Sequence, residues 1–381
     1  RQRQMCIRDR EWSDWVPVRF TALPGLAHVS ATARFFLKQV RPHFKLYVTP
    51  LQIDPADPIM PISQPPDWCC DLQQALGYFY TQGLAEDTKA LSAGVLTPGE
   101  FRDQGRLVFE ERSRALDHLL EQYEGGLLFF YFSTIDQHCH MLWRHTDDQH
   151  PGFVQEPTEQ QEVQRLYQEM DDVLARVVSR MDPETTLLVM SDHGFAPFYW
   201  QVNLNSWLVQ KGYVHLKNPA AQGRHPYFGN VDWSRTTAYA LGLNGIYVNL
   251  EGRERNGIVE PGQPYQDLLD RLERDLLDFE DAGTGDPVVT RVVQTHRDYH
   301  GVHRGDGPDL VVGYGWGYRS SWTSPLGEFP TEIIVPNHDP WSGDHAMDNR
   351  LVPGVLLSNR TITRPDPALH DVTVSILDEF G

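Results

Sequence analysis

Leu127-Leu128-Phe129-Phe130-Tyr131-Phe132-Ser133-Thr134-Ile135-Asp136-Gln137-His138-Cys139-His140 is the stretch on which the reading of the chain turns. Six apolar residues run without a break and lead within a few positions to a carboxylate and two imidazoles. Such a run predicts a strand buried on both faces, as in a parallel sheet covered by helices. Thr186-Leu187-Leu188-Val189-Met190-Ser191-Asp192-His193-Gly194 repeats the pattern. In open α/β sheets, ligands bind beyond the carboxyl ends of the strands. Two strand exits that each deliver Asp and His are therefore what a metal site on such a sheet needs.

The helix between these stretches is legible from its stripe of Val163, Leu166, Tyr167, Met170, Val173, Leu174, Val177 and Val178, with Thr158 as the expected cap. Strand, helix and strand predict a right-handed βαβ unit. Upstream, Phe101, Val108, Ala115, Leu119 and Tyr123 share a helical face between Pro98 and Gly125-Gly126. Downstream, Leu268, Leu269, Leu272, Leu276 and Leu277 give a helix over 264–279. Short strands are expected within 237–250 and at 310–313 and 354–357, a loop over 315–342, and a C-terminal helix from Asp371.

The N-terminal part has a different texture. Residues 1–10 show no apolar period and read as a foreign or artefactual leader. Residues 11–68 read as a β-rich insert or cap. There Val16, Val18 and Phe20 alternate, as do Val29, Ala31, Ala33 and Phe35, and Phe44 to Val48 is largely apolar. Pro24-Gly25 and Arg41-Pro42 punctuate these runs, and a Pro-rich loop over 54–68 closes the segment. Residues 69–381 are then the main α/β body.

Composition narrows the function. At 381 residues the chain exceeds the size at which one core stops growing. A net charge of -19 argues against nucleic-acid binding through a basic face. No apolar run reaches the length of a membrane span. An acidic chain that holds a phosphate ester needs positive charge from elsewhere, and metal ions supply it. Cys6, Cys69, Cys70 and Cys139 suggest no disulfide framework and no CxxC zinc pattern. Cys69 and Cys70 read as small buried residues. The compartment is not fixed by these features, with the cytoplasm slightly favoured.

Carboxylate and imidazole are ligands for zinc or manganese. Asp136 and His140 lie four apart, so a helix over this stretch turns both toward one point. His138, the competing imidazole, falls on another side. Asp192 and His193 can aim at one metal if the backbone bends sharply, which Gly194 allows. Each residue alone has a plainer role, since an Asp at a strand exit is commonly a helix cap. His145, His150, His225, His296, His300, His303 and His338 read as surface or core residues, and Arg144 and Arg319 as solvated ones.

In this order, Asp136-x-x-x-His140-Met141-x-Trp143, Ser191-Asp192-His193-Gly194-Phe195 and Ser342-Gly343-Asp344-His345 resemble the alkaline phosphatase superfamily. Within it the chain is similar to type I phosphodiesterase/nucleotide pyrophosphatase-like proteins of the predicted phosphohydrolase/phosphomutase group. Asn203-Leu204-Asn205-Ser206-Trp207-Leu208 and Gly307-Pro308-Asp309-Leu310 add to the likeness, which covers roughly residues 12–381.

The resemblance implies a three-layer α/β sandwich with a mostly parallel sheet and two divalent ions, zinc or manganese, about 4 Å apart. It implies Asp136, His140 and His345 as ligands of one metal, and Asp192 and His193 as part of the other. The substrate class it implies is a small phosphate ester or nucleotide. The family's remaining ligand, an Asp at an early strand end, and its Thr or Ser nucleophile find no match in residues 11–125. The expectation is thus a C-terminal piece of such a catalytic domain, truncated at its N-terminus and weakly active or inactive by itself. Alternatives are a phosphomutase of the same superfamily, a sulfatase, or a non-catalytic metal-binding module.

Overall fold

In the computed structural model, residues 8–23 and 27–381 are described. The expected leader lies largely outside them, as does the Pro24-Gly25 turn. The chain divides into two units, one formed by residues 1–146 and 155–181, the other by 147–154 and 182–381.

The alternation read from the sequence produces the antiparallel strands of the first unit. Val16–Leu23 (β1) pairs with Ala27–Ala33 (β2), which pairs with Gln52–Ile53 (β5). Phe35–Gln39 (β3) and Lys45–Val48 (β4) form a separate antiparallel ribbon. Arg34 breaks the alternation between β2 and β3: its backbone N–H leaves the ladder and donates to the Thr49 hydroxyl. Trp12, Phe36, Tyr47, Ala90 and Leu96 make a small core.

The helices of this unit follow their apolar stripes. Trp68–Leu76 (α1) and Thr88–Ser92 (α2) are short. Pro98–Gln122 (α3) starts at Thr97 in a capping box, with Thr97 and Glu100 each bonding the other's backbone N–H. Thr134–Thr146 (α4) and Glu162–Arg180 (α5) complete the set. The α5 helix begins three residues later than Thr158 suggests, because residues 157–160 form a turn and Gln161 takes the cap position. Phe109 and Leu116 of α3 meet Leu166 and Val173 of α5 in a second core.

The run Leu127 to Phe132 departs from expectation. It forms no strand and approaches α4 as open chain. Its residues alternate: Leu127, Phe129 and Tyr131 are exposed, whereas Phe130 and Phe132 pack on the α3–α5 core. Only one face finds apolar cover, so the βαβ unit lacks its first strand.

The second unit is built on two sheets. Ala238–Leu241 (β8), Gly245–Val248 (β9), Val289–Gln294 (β10) and Leu310–Tyr314 (β11) form an antiparallel sheet in the order β10-β11-β9-β8. Gln263–Leu277 (α7) lies against it, with Leu268, Leu269, Leu272 and Leu276 buried. Ala196–Val202 (β7) is the hub of the other sheet. It pairs in parallel with Gly317–Ser320 (β12), and antiparallel with Ile334–Pro336 (β13) and Gly343–Asp344 (β14). Leu188–Met190 (β6) pairs antiparallel with Leu356–Ser358 (β15).

Leu204–Gln210 (α6), Thr295–Asp298 (α8) and Leu369–Phe380 (α9) are further helices of this unit. The core of this unit includes Trp207, Tyr314, Tyr318 and Phe329.

The fold is thus mixed α/β, but the mostly parallel sheet is not what these residues form. Among the described residues β7 and β12 are the parallel pair and the remaining ladders are antiparallel. The expected loop over 315–342 also holds β12 and β13.

Candidate metal centre

In the first unit, α4 carries the acidic motif. A helix advances 3.6 residues per turn, so positions four apart lie one above the other. Accordingly an Asp136 carboxylate oxygen lies 3.8 Å from Nε2 of His140. The Gln137 amide donates to the other Asp136 oxygen at 2.7 Å. His140 is almost fully buried, and Asp136 is partly exposed.

His138 faces elsewhere, as its spacing predicts. It is wholly buried, its Nδ1 lies 2.8 Å from the Thr134 carbonyl, and its ring meets that of Phe101 at a tilt. The ring fills the space beside Gly105 of α3, where an added Cβ would stand 2.0 Å from its Cε1. Burial pulls the His138 imidazole down to about 4, so it is neutral at physiological pH.

The start of α4 rests on a residue that the sequence did not single out. Glu86 is 2% exposed and accepts from the Thr134 hydroxyl at 2.7 Å and from Ser133 at 3.1 Å. Its carboxylate stands at the helix N-terminus, where negative charge is favoured. Burial nevertheless raises its pKa above the usual carboxylate value.

In the second unit, β6 ends at Met190 and the chain turns through Asp192-His193-Gly194. Gly194 serves close approach rather than an unusual backbone angle. A Cβ there would stand 2.7 Å from the Pro353 carbonyl oxygen. Gly354 has the same role, its Cβ position being 2.4 Å from the Ser191 carbonyl oxygen. Backbone bonds from Ser191 to Val355 and from Gly194 to Val352 clamp the two segments together.

This turn brings Asp192 Oδ1 to 3.5 Å from Nε2 of His193. Nδ1 of His193 lies 3.1 Å from the Gly194 carbonyl. A proton held on Nδ1 by that carbonyl puts the ring lone pair on Nε2, the tautomer that a metal ligand needs. His345 follows directly on β14. Its ring stacks on that of His193 with centroids 3.4 Å apart and planes 11° apart, and Phe195 meets both rings edge-on. Two residues about 150 positions apart in sequence are thereby face to face.

The profile of the type I phosphodiesterase / nucleotide pyrophosphatase family matches residues 3–334. The chain belongs to that family. It is accordingly a member of the alkaline phosphatase superfamily. The match takes in Asp136, His140, Asp192 and His193, and ends before His345. No curated protein matches the chain. Proteins of the phosphodiesterase family are phosphoester hydrolases that act on small phosphate esters or nucleotides, and are typically metal-dependent.

The donors present suit such chemistry. Within the first unit a carboxylate lies next to an imidazole, and within the second a carboxylate lies next to one of two stacked imidazoles. Stacked imidazoles are unfavourable neighbours when both are protonated, so the pair suits binding as neutral ligands. Arg319, expected to be solvated, is instead 2% exposed within the sheet built on β7. Cys69 is buried as expected, and Cys70 is half-buried with its thiol 3.1 Å from the Pro55 carbonyl. No helix among the described residues is long and apolar enough to cross a membrane.

Proposed function

We propose that the protein hydrolyses phosphate diesters or nucleotide pyrophosphates with two divalent ions, zinc or manganese. In this reading Asp136, His140 and His345 hold one ion, and Asp192 and His193 contribute to the other. The observation that carries the proposal is the stacking of His193 on His345 at 3.4 Å, with Asp192 beside them. Membership of the phosphodiesterase family supports it.

Bound at such a site, a divalent ion stabilises charge on the phosphoryl oxygens and lowers the pKa of an attacking hydroxyl or water. The chain's own contribution is to hold the ligands. Glu86 fixes the first turn of α4, and the Gly194 carbonyl fixes the His193 tautomer. The Gln137 amide orients the Asp136 carboxylate.

The test is metal content and turnover measured on the same samples. After dialysis against zinc or manganese, the chain is expected to retain at least one equivalent of metal. It should also release nitrophenol from bis(4-nitrophenyl) phosphate in a metal-dependent way. Turnover is expected to be weak, because the sequence shows no match to the family's nucleophile. His345→Ala should lose one equivalent. A wild-type chain that retains neither metal overturns the proposal, and unchanged stoichiometry in His345→Ala overturns the assignment of His345.

A further inference from the structure

An ion pair lies buried immediately before His345. Arg319 on β12 and Asp344 on β14 are each 2% exposed, and Nε of Arg319 lies 2.9 Å from Oδ2 of Asp344. The two strands flank β7, one parallel and one antiparallel to it. The guanidinium sits 4.0 Å from the Trp322 ring centroid and 5.1 Å from that of Phe198. Its Nη1 donates to the Ser320 carbonyl at 2.9 Å.

The carboxylate is used on both sides. Oδ2 also accepts from the Trp341 indole N–H at 2.7 Å. Oδ1 accepts from the backbone N–H of His345 at 2.7 Å and of Ala346 at 2.8 Å. A buried ion pair is a poor way to gain stability, because well-packed apolar residues often do as well or better. What apolar residues cannot do is hold two consecutive backbone N–H groups. Here that hold falls on His345 and the residue after it.

We propose that Arg319 and Asp344 are positioning residues that set the direction in which His345 presents its imidazole to a metal ion. Arg319 holds the Asp344 carboxylate in place. Asp344 grips the backbone of the turn, and the turn aims the ring. Neither residue touches the metal. The proposal rests on the assignment of His345 as a ligand.

Zinc binding to the full chain tests it, with zinc alone as the probe in a competition titration against a chromophoric chelator. Asp344→Asn keeps the shape of the side chain but loses the charge that faces Arg319 and adds a donor opposite the Trp341 indole. It should weaken zinc binding at the His345 site by 10-fold or more, within the range for residues that orient metal ligands. Arg319→Met should do the same, and Arg319→Lys should recover part of the loss. The metal-free melting temperatures and the imidazole resonances of His345 are followed in parallel. A positioning role shifts the His345 resonances and the affinity even where melting is unchanged.

Asp344→Asn decides the question alone if Arg319→Met does not fold. Zinc affinity within 2-fold of wild type in Asp344→Asn, while His345→Ala loses the site, overturns the positioning role. Undiminished zinc binding in His345→Ala overturns the ligand assignment instead.

Discussion

His138 shows how one buried imidazole makes stability depend on pH. Its folded pKa of about 4 lies below the unfolded value of 6.5, so the folded state resists protonation. The stability linked to this ring is complete above the unfolded value and is lost as pH falls from there toward the folded one. Between pH 7 and pH 5 the loss amounts to about 2 kcal/mol by linkage. His138→Gln should remove that slope, as measured by urea unfolding at the two pH values. Parallel profiles for the two proteins would refute it. The two-residue spacing of His138 from Asp136 separated it from His140 on the expectation of extended chain, and it is the α4 helix that turns the two rings to different sides. Arg319 was misread for the opposite reason: a lone arginine in sequence carries no mark of the aromatic and acidic partners that bury it.

At the level of elements, α4 depends on a residue distant in sequence. Glu86 satisfies two hydroxyls that would otherwise be buried without partners. Removing one member of such a pair costs about 1–3 kcal/mol for each orphaned group. Glu86→Ala should therefore lower stability by that order in thermal unfolding. Glu86→Gln, which keeps an accepting oxygen, should lose less. Equal losses would show that charge at the helix start matters more than the hydrogen bonds.

The helices were the most legible elements, because α3, α5 and α7 carry clean 3.6-residue stripes over long stretches. Short strands such as β12, whose Gly317-Tyr318-Arg319-Ser320 has no alternation, gave no such signal. Leu127 to Phe132 was misread because an unbroken apolar run says that burial is possible, not that both faces are covered. The approach of Asp136 to His140 was legible from their spacing, and that of Asp192 to His193 from their adjacency. Glu86, whose link to Ser133 and Thr134 crosses more than forty residues, was not.

For the whole molecule, charge sets a condition on catalysis. A net charge of -19 repels an anionic ester, and the repulsion is screened as the Debye length shrinks. Raising ionic strength from about 0.05 to about 0.5 M should lower KM for a phosphodiester severalfold with little change in kcat. A rise in KM would show that substrate is steered by a local positive field instead.

The clamp between residues 191–194 and 352–355 also bears on biosynthesis. Ser191 and Val355 are 164 positions apart, so the turn that bears Asp192 and His193 leaves the ribosome well before its partner strand exists. At about 5–20 residues per second, that interval is on the order of ten to thirty seconds. For most of it Gly194 has no carbonyl to press against and His193 no second ring to lie on. The nascent chain therefore gains its paired imidazoles only once His345 has been made, and a ribosome stalled before that residue yields a polypeptide without them.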